Sequence, residues 1–136
     1  GWGSELTTEI TPMEAGLDRF VDFSKCFLGR EATLSRKLLG VNTKLVYVSV
    51  ETADSDCLGN ETVLNPEAPS GENIIGVTTS GAYGHTVSQS MAFAYVQPKF
   101  AEPGTKLEIR VLGHNCSATV LKEAAYDPQN LRLRDV

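Results

Sequence analysis

The chain has 136 residues, 41% hydrophobic and 21% charged, and its 17 acidic against 12 basic residues leave a net charge of −5. A chain of this length buries roughly two-thirds of the surface its unfolded form exposes, so neither disulfides nor metals are needed to make a core. The acidic balance argues against the sequence-independent phosphate affinity of nucleic-acid and anionic-membrane binders, and no apolar run approaches the eighteen or so residues of a spanning helix.

The first residue is Gly rather than Met, which reads as a cut or engineered start. Thr11-Pro12-Met13-Glu14 is a helix-start signal: Thr11 can cap, Pro12 suits the first helical position, and Glu14 can reach back to close a capping box. That role is enough to explain Glu14 without making it a ligand. Met13, Leu17, Phe20 and Val21 recur at helical spacing and predict an apolar face. A second helix is predicted over Arg30 to Leu39, with Glu31 near its positive end, Arg36 and Lys37 near its negative end, Gly40 as a stop, and Leu34, Leu38 and Leu39 as its stripe. Two helices this short need something larger to pack on, so their exposed face is a candidate for self-association.

From Lys44 the period changes to alternation. Lys44 to Val50 is β-branched and uninterrupted, as in a covered strand. Residues 51 to 67 hold the excess acid and, with Asn65, Pro66, Pro69, Ser70 and Gly71, read as a solvated connection; Asp54, Asp56 and Glu61 lack the spacing of a calcium loop. A weak strand near Glu61 to Leu64 precedes stronger ones at Asn73 to Thr79 and Gln89 to Val96, and the apolarity of Met91 to Val96 predicts cover on both faces. Pro103-Gly104 suits a type II turn. It leads into Lys106 to Val111, whose alternation points Leu107, Ile109 and Val111 inward. Gly113-His114-Asn115 reads as a hairpin turn before Cys116, Ala118 and Val120. The strand spacing predicts a mainly β fold, a six-stranded jelly-roll-like or Greek-key barrel preceded by two short helices. Closure into a barrel removes exposed edges. The domain boundary is placed between a helical segment, 1–41, and a barrel domain, 42–136.

Catalytic chemistry is scarce. Cys26, Cys57 and Cys116 are odd in number and far apart, which fits idle thiols in a reducing compartment, the cytoplasm or, in a eukaryote, the mitochondrial matrix. His85 and His114 have no partners at metal-ligand spacing, no serine sits on a GxSxG elbow, and the glycines make no dinucleotide or phosphate loop. No catalytic residue and no metal ligand is assigned. The stretch Thr78-Thr79-Ser80-Gly81-Ala82-Tyr83-Gly84-His85 is the most unusual. It is either a strand connection in which glycines and hydroxyls serve the backbone, or a loop on which Tyr83 and His85 line one wall of a ligand pocket.

At these residues the sequence resembles a known family. Thr11-Pro12-Met13-Glu14-Ala15-Gly16-Leu17 and Phe27-Leu28-Gly29-Arg30-Glu31-Ala32 resemble the end of the folate-binding region of the aminomethyltransferase family. Gly76-Val77-Thr78-Thr79-Ser80-Gly81, Ala92-Phe93-Ala94-Tyr95-Val96 and Pro103-Gly104-Thr105 resemble its C-terminal barrel. The family includes the glycine cleavage T-protein and the C-terminal halves of dimethylglycine and sarcosine dehydrogenases; Gly1-Trp2-Gly3 and the Tyr83 turn look more like the dehydrogenase branch, which would make Gly1-Trp2-Gly3 native sequence. The resemblance implies one-carbon transfer from an N-methyl or aminomethyl amine to tetrahydrofolate in a parent protein, with Tyr83 and His85 as folate-proximal residues. It implies FAD only where a separate N-terminal flavin domain exists. The catalytic Asp and the pterin-gripping Glu of the family belong upstream of Gly1, so this chain alone is expected to be inactive, its partners being the remainder of the parent enzyme and folate. The alternative is a stand-alone binding or regulatory barrel with residues 1–40 as a docking arm.

Overall fold

A computed structural model describes residues 1–69 and 73–134; Ser70 and Gly71, at the end of the acidic connection, lie outside the described residues. The strands are β1 (Lys44–Val50), β2 (Thr62–Leu64), β3 (Ile74–Gly84), β4 (Gln89–Val96), β5 (Lys106–Val111) and β6 (His114–Val120). They close into a barrel in the order β1-β4-β3-β2-β5-β6, with every pairing antiparallel. Strands β2, β3 and β4 follow one another as neighbours, and β1 and β5 then lie on the outer sides of β4 and β2, the Greek-key arrangement that the strand spacing predicts.

The core follows the predicted alternation. Leu107, Ile109 and Val111 point inward from β5, Val46, Val48 and Val50 from β1, Ala92, Ala94 and Val96 from β4, and Ala118 and Val120 from β6. Small residues on β4 leave room for the larger side chains opposite, so the interior is filled by side chains rather than left as a channel.

Several elements differ from the sequence expectation, each for a local reason. The capping box at Thr11 forms: the Thr11 backbone N–H and hydroxyl both donate to Glu14 Oε2, at 2.8 and 2.7 Å. The helix does not continue, because Gly16 adopts a left-handed conformation (φ +68°). The Leu17 N–H then returns to the Pro12 carbonyl at 2.8 Å, which ends the helix after a single turn. A 3-10 turn at Asp18–Phe20 follows, so Met13, Leu17, Phe20 and Val21 share no helical face. The second helix, α1, spans Arg30–Leu39 as predicted, yet none of its residues is buried.

Strand β3 is longer than predicted because Gly81 and Gly84 lie within it rather than in a turn. The β5–β6 hairpin turns at Leu112 and Gly113, both with positive φ (+48° and +87°), so His114 and Asn115 belong to β6. Positive φ at both central positions matches the twist of the flanking strands. Strand β4 is covered on both faces only in part: Tyr95 is buried on the outside, whereas Phe93 is 39% exposed. A short helix, α2, at Leu131–Arg134 follows the barrel.

Candidate functional site

The densest polar constellation lies on the outer face of the barrel, where β3 meets β4. Thr78 pairs with Ala94 and Ser80 with Phe93, so Thr79 is an extra residue in β3. Such a bulge interrupts the in-out alternation and re-aims side chains. Here it sends two consecutive hydroxyls to one place: Thr79 Oγ1 and Ser80 Oγ each donate to Glu5 Oε1 at 2.6 Å. The other oxygen of Glu5 accepts from the Gly1 nitrogen and from Ser4 Oγ. Tyr95 reaches out from β4 and donates its hydroxyl to the Glu5 carbonyl at 2.7 Å.

Glu5 is 7% exposed. Burial pushes its carboxyl upward, but in the 136-residue chain the hydrogen bonds from the Gly1 terminal ammonium, Ser80 and Thr79 outweigh burial and hold it down at about 2. The group is therefore an anion at neutral pH, and it is held by donors to the charged form rather than left bare.

Two hollows flank this anchor. One of about 290 Å³ lies between the first ten residues and the barrel, lined by Gly3, Thr7, Ile10, Val77 and Tyr95 among others. The second, of about 220 Å³, is lined by Tyr47, Ser80, Ala82, Met91 and Phe93. The Tyr47 and Phe93 rings stack with centroids 4.9 Å apart, and the Tyr47 hydroxyl donates to Met91 Sδ at 2.7 Å. This surface is mostly apolar, with the hydroxyls of Tyr47 and Ser80 among its lining, suited to contact with a flat or apolar group and lacking a paired acid and base. Among the described residues no group of three His, Cys, Asp or Glu side chains could hold a metal.

The acidic connection is less solvated than its composition predicts. Cys57 is buried, and Glu61 accepts from the Leu58 and Gly59 backbone N–H groups at 2.8 and 2.9 Å and from the Thr78 hydroxyl. Asp56 accepts from the buried Ser90 hydroxyl at 2.6 Å. Burial pushes the Glu61 carboxyl up, and the Thr78 hydroxyl and the two N–H groups more than offset it, so the net shift is downward.

Tyr83 and His85 are brought together at the far end of β3, their rings meeting edge to face with centroids 5.0 Å apart. Tyr83 lines a hollow of about 230 Å³ with Thr52, Asp54, Ser55 and Asp56; His85 does not. Tyr83 lies three residues beyond Ser80, about 10 Å along the strand, and His85 lies just past the end of β3, so neither joins the Glu5 anchor. Glu5 and Tyr95 escaped sequence reasoning. The Thr79-Ser80 half of the anchor falls in the stretch that stood out as unusual, but its carboxylate partner is 74 residues away with no local signal.

Comparison with known proteins adds the following. The sequence model of the glycine cleavage T-protein C-terminal barrel domain matches residues 44–127. Mitochondrial dimethylglycine dehydrogenase of Rattus norvegicus is 37% identical over 137 residues, covering 98% of this chain and 15% of that protein. The aminomethyltransferase of Aquifex aeolicus is 33% identical over 121 residues, covering 89% of this chain and 32% of that protein. The solved glycine cleavage system aminomethyltransferase T from Bartonella henselae superposes with a TM-score of 0.83 at 23% identity, over 94% of this chain and 35% of that one; this last likeness speaks to fold alone. The chain thus spans between about a seventh and a third of the length of these relatives.

Proposed function

Because this chain belongs to the family of the glycine cleavage T-protein C-terminal barrel domain, we propose that it is the C-terminal barrel and adjoining wall of a folate-dependent enzyme. In the parent, an N-methyl or aminomethyl amine gives its one-carbon unit to tetrahydrofolate. The observation that carries the reading is that similarity to a dehydrogenase relative runs through both the first 41 residues and the barrel, over 98% of the chain. In this reading residues 1–41 and the barrel shape and close the site, and residues upstream of Gly1 carry the chemistry. FAD belongs to the dehydrogenase branch of the reading, in a separate N-terminal domain.

Tetrahydrofolate supplies the nucleophilic nitrogens that accept the one-carbon unit, and only part of it suits the residues at the end of β3. Tyr83 and His85 offer aromatic edges, but the neighbouring hollow is lined by Asp54 and Asp56, whose charge repels the glutamate carboxylates of folate. The fit is to the neutral pterin or aminobenzoyl part. A half-pocket of this kind forfeits most of the contacts that make affinity, so binding by the 136-residue chain alone is expected to be weak.

The remainder of the parent enzyme would cover Leu28, Leu38 and Leu39, which are 103%, 79% and 83% exposed. The same three leucines favour a second reading, a non-catalytic barrel module that associates through α1 and the residues just before it. Among the described residues no helix is long and apolar enough to cross a membrane, and the proposed setting is the cytoplasm or the mitochondrial matrix. The test is to purify the full-length parent and measure methylene-tetrahydrofolate formed from tetrahydrofolate with dimethylglycine, sarcosine or an aminomethyl-carrier donor. Folate-dependent product from the parent and none from the isolated chain is expected. Amine turnover that yields no methylene-tetrahydrofolate would overturn the folate-dependent reading, and a parent with no activity and a self-associating barrel would favour the module.

A further inference from the structure

We propose that the Thr79-Ser80 bulge and Tyr95 form a carboxylate receptor on the outer face of the barrel, and that Glu5, its occupant, is the latch that holds residues 1–41 in place. The inference stands on geometry alone and does not depend on what the parent protein acts upon. Among residues 1–41 the buried ones are Glu5, Glu14 and Ala15, two carboxylates and a methyl group. None of them belongs to the hydrophobic core, whose members all lie at Val46 or beyond. Apolar burial, the usual means of docking a segment on a barrel, is only partial here: Leu6, Ile10, Met13 and Leu17 are half-buried, and none of them reaches the core. The fully buried positions are instead polar contacts: the Glu5 side chain on two hydroxyls, the Glu5 carbonyl on Tyr95, and the Leu45 N–H on the Glu14 carbonyl at 2.8 Å.

The receptor reads residue 5 twice, through its side chain and through its backbone. A slip of the segment by one residue would place Ser4 or Leu6 there, and neither can offer an anion to two hydroxyl donors. The bulge makes this possible, since a regular β3 would turn Thr79 and Ser80 to opposite faces. Glu5 is thus a positioning residue: it fixes the register of the segment, and through it the placement of α1.

Hydrogen exchange followed by mass spectrometry on the 136-residue chain tests this. In Glu5→Ala, amides of residues 2–20 should exchange at least about tenfold faster while those of β5 and β6 stay as in the wild type, the signature of local rather than global opening. Glu5→Gln, which keeps an acceptor oxygen without charge, should fall between. The paired change Thr79→Val with Ser80→Ala should release the same amides, and adding it to Glu5→Ala should produce no further release, because the three side chains act as one contact. Should Glu5→Ala loosen the whole barrel, the hydroxyl changes taken singly give the answer, since each leaves Glu5 Oε1 one of its two hydroxyl donors. Unchanged exchange over residues 2–20 in all variants, or effects of the carboxylate and hydroxyl changes that add, would overturn the proposal.

Discussion

Gly81 of β3 lies directly against Cys57: a Cβ at residue 81 would stand 2.6 Å from the Cys57 carbonyl oxygen and 2.8 Å from its Cβ, with the Met91 carbonyl oxygen 3.0 Å away. The connection after β1 therefore runs in contact with the backbone of β3, and only a residue without a side chain lets it pass. Gly81→Ala should force that backbone apart and lower stability by about 1–3 kcal/mol, the usual range for overpacking. Denaturant unfolding should show a lower midpoint at an unchanged slope. A midpoint equal to that of the wild type would mean that the two segments can separate freely.

The inward face of β5 gives a second prediction. Ile109 is fully buried, opposite Val63 of β2 and Cys116 of β6. Ile109→Ala should cost about 2–5 kcal/mol, since neighbours held in a closed barrel cannot collapse far into the void. A loss below about 0.5 kcal/mol, the scale of a surface change, would contradict the inward assignment.

These two positions show what the sequence made legible. Strict alternation in Lys106 to Val111 specifies the face of Ile109 because one side must meet water and the other the core. Gly81, by contrast, reads as a turn residue, because nothing local reveals that another backbone crosses it. The same limit explains residues 11–21. Their capping box and helical spacing are genuine, but neither says whether the chain will continue past Gly16, and with no partner surface to bury Phe20 it does not. Glu5 was illegible for a third reason: its partners are assembled by a bulge, which is a property of strand pairing rather than of either segment. Tyr83 and His85 read as loop residues, whereas Tyr83 lies within β3, one residue before its end.

Acid should loosen the N-terminal segment before it unfolds a barrel whose stability is apolar. The Glu5 carboxyl is held at about 2, below its ordinary 4.5. A depressed carboxyl stabilises the folded arrangement fully above the ordinary value and loses that contribution as pH falls through the depressed one. Trp2, the only tryptophan, sits three residues from Glu5, so its fluorescence anisotropy reports on the segment. It should hold steady from neutral pH to about pH 4.5 and fall toward pH 2. Glu5→Gln should show no acid step of this kind, and its anisotropy should stay at one intermediate level throughout.

The three thiols should separate by reactivity. Cys26 is exposed, Cys116 half-buried and Cys57 buried. Burial, with the nearby Glu61 charge, pushes the Cys57 thiol up to about 11, leaving very little thiolate near pH 8. Timed alkylation with peptide mapping should label Cys26 first and Cys57 only when denaturant is added. Labelling of Cys57 in the native chain at the rate of Cys26 would mean that the segment over Gly81 opens readily.

Tyr83 should be expendable for folding. Its ring is 44% exposed, and Tyr83→Phe should change stability by no more than about 0.5 kcal/mol. In the full-length parent the same change should weaken tetrahydrofolate binding if the ring lies beside the folate. Equal folate affinity in the two proteins would remove Tyr83 from the site.

The barrel is closed by its first and last strands, Val48 to Val50 pairing with Ala118 to Val120. During synthesis, β1 leaves the ribosome about seventy residues ahead of the strand that seals it, and at several residues per second it waits seconds with an uncovered edge. Contacts this distant in sequence also slow folding itself. Until β6 arrives, β1 and β5 both present open backbone to whatever is nearby, so this is the interval in which the nascent chain is most exposed to misassociation or most in need of a chaperone.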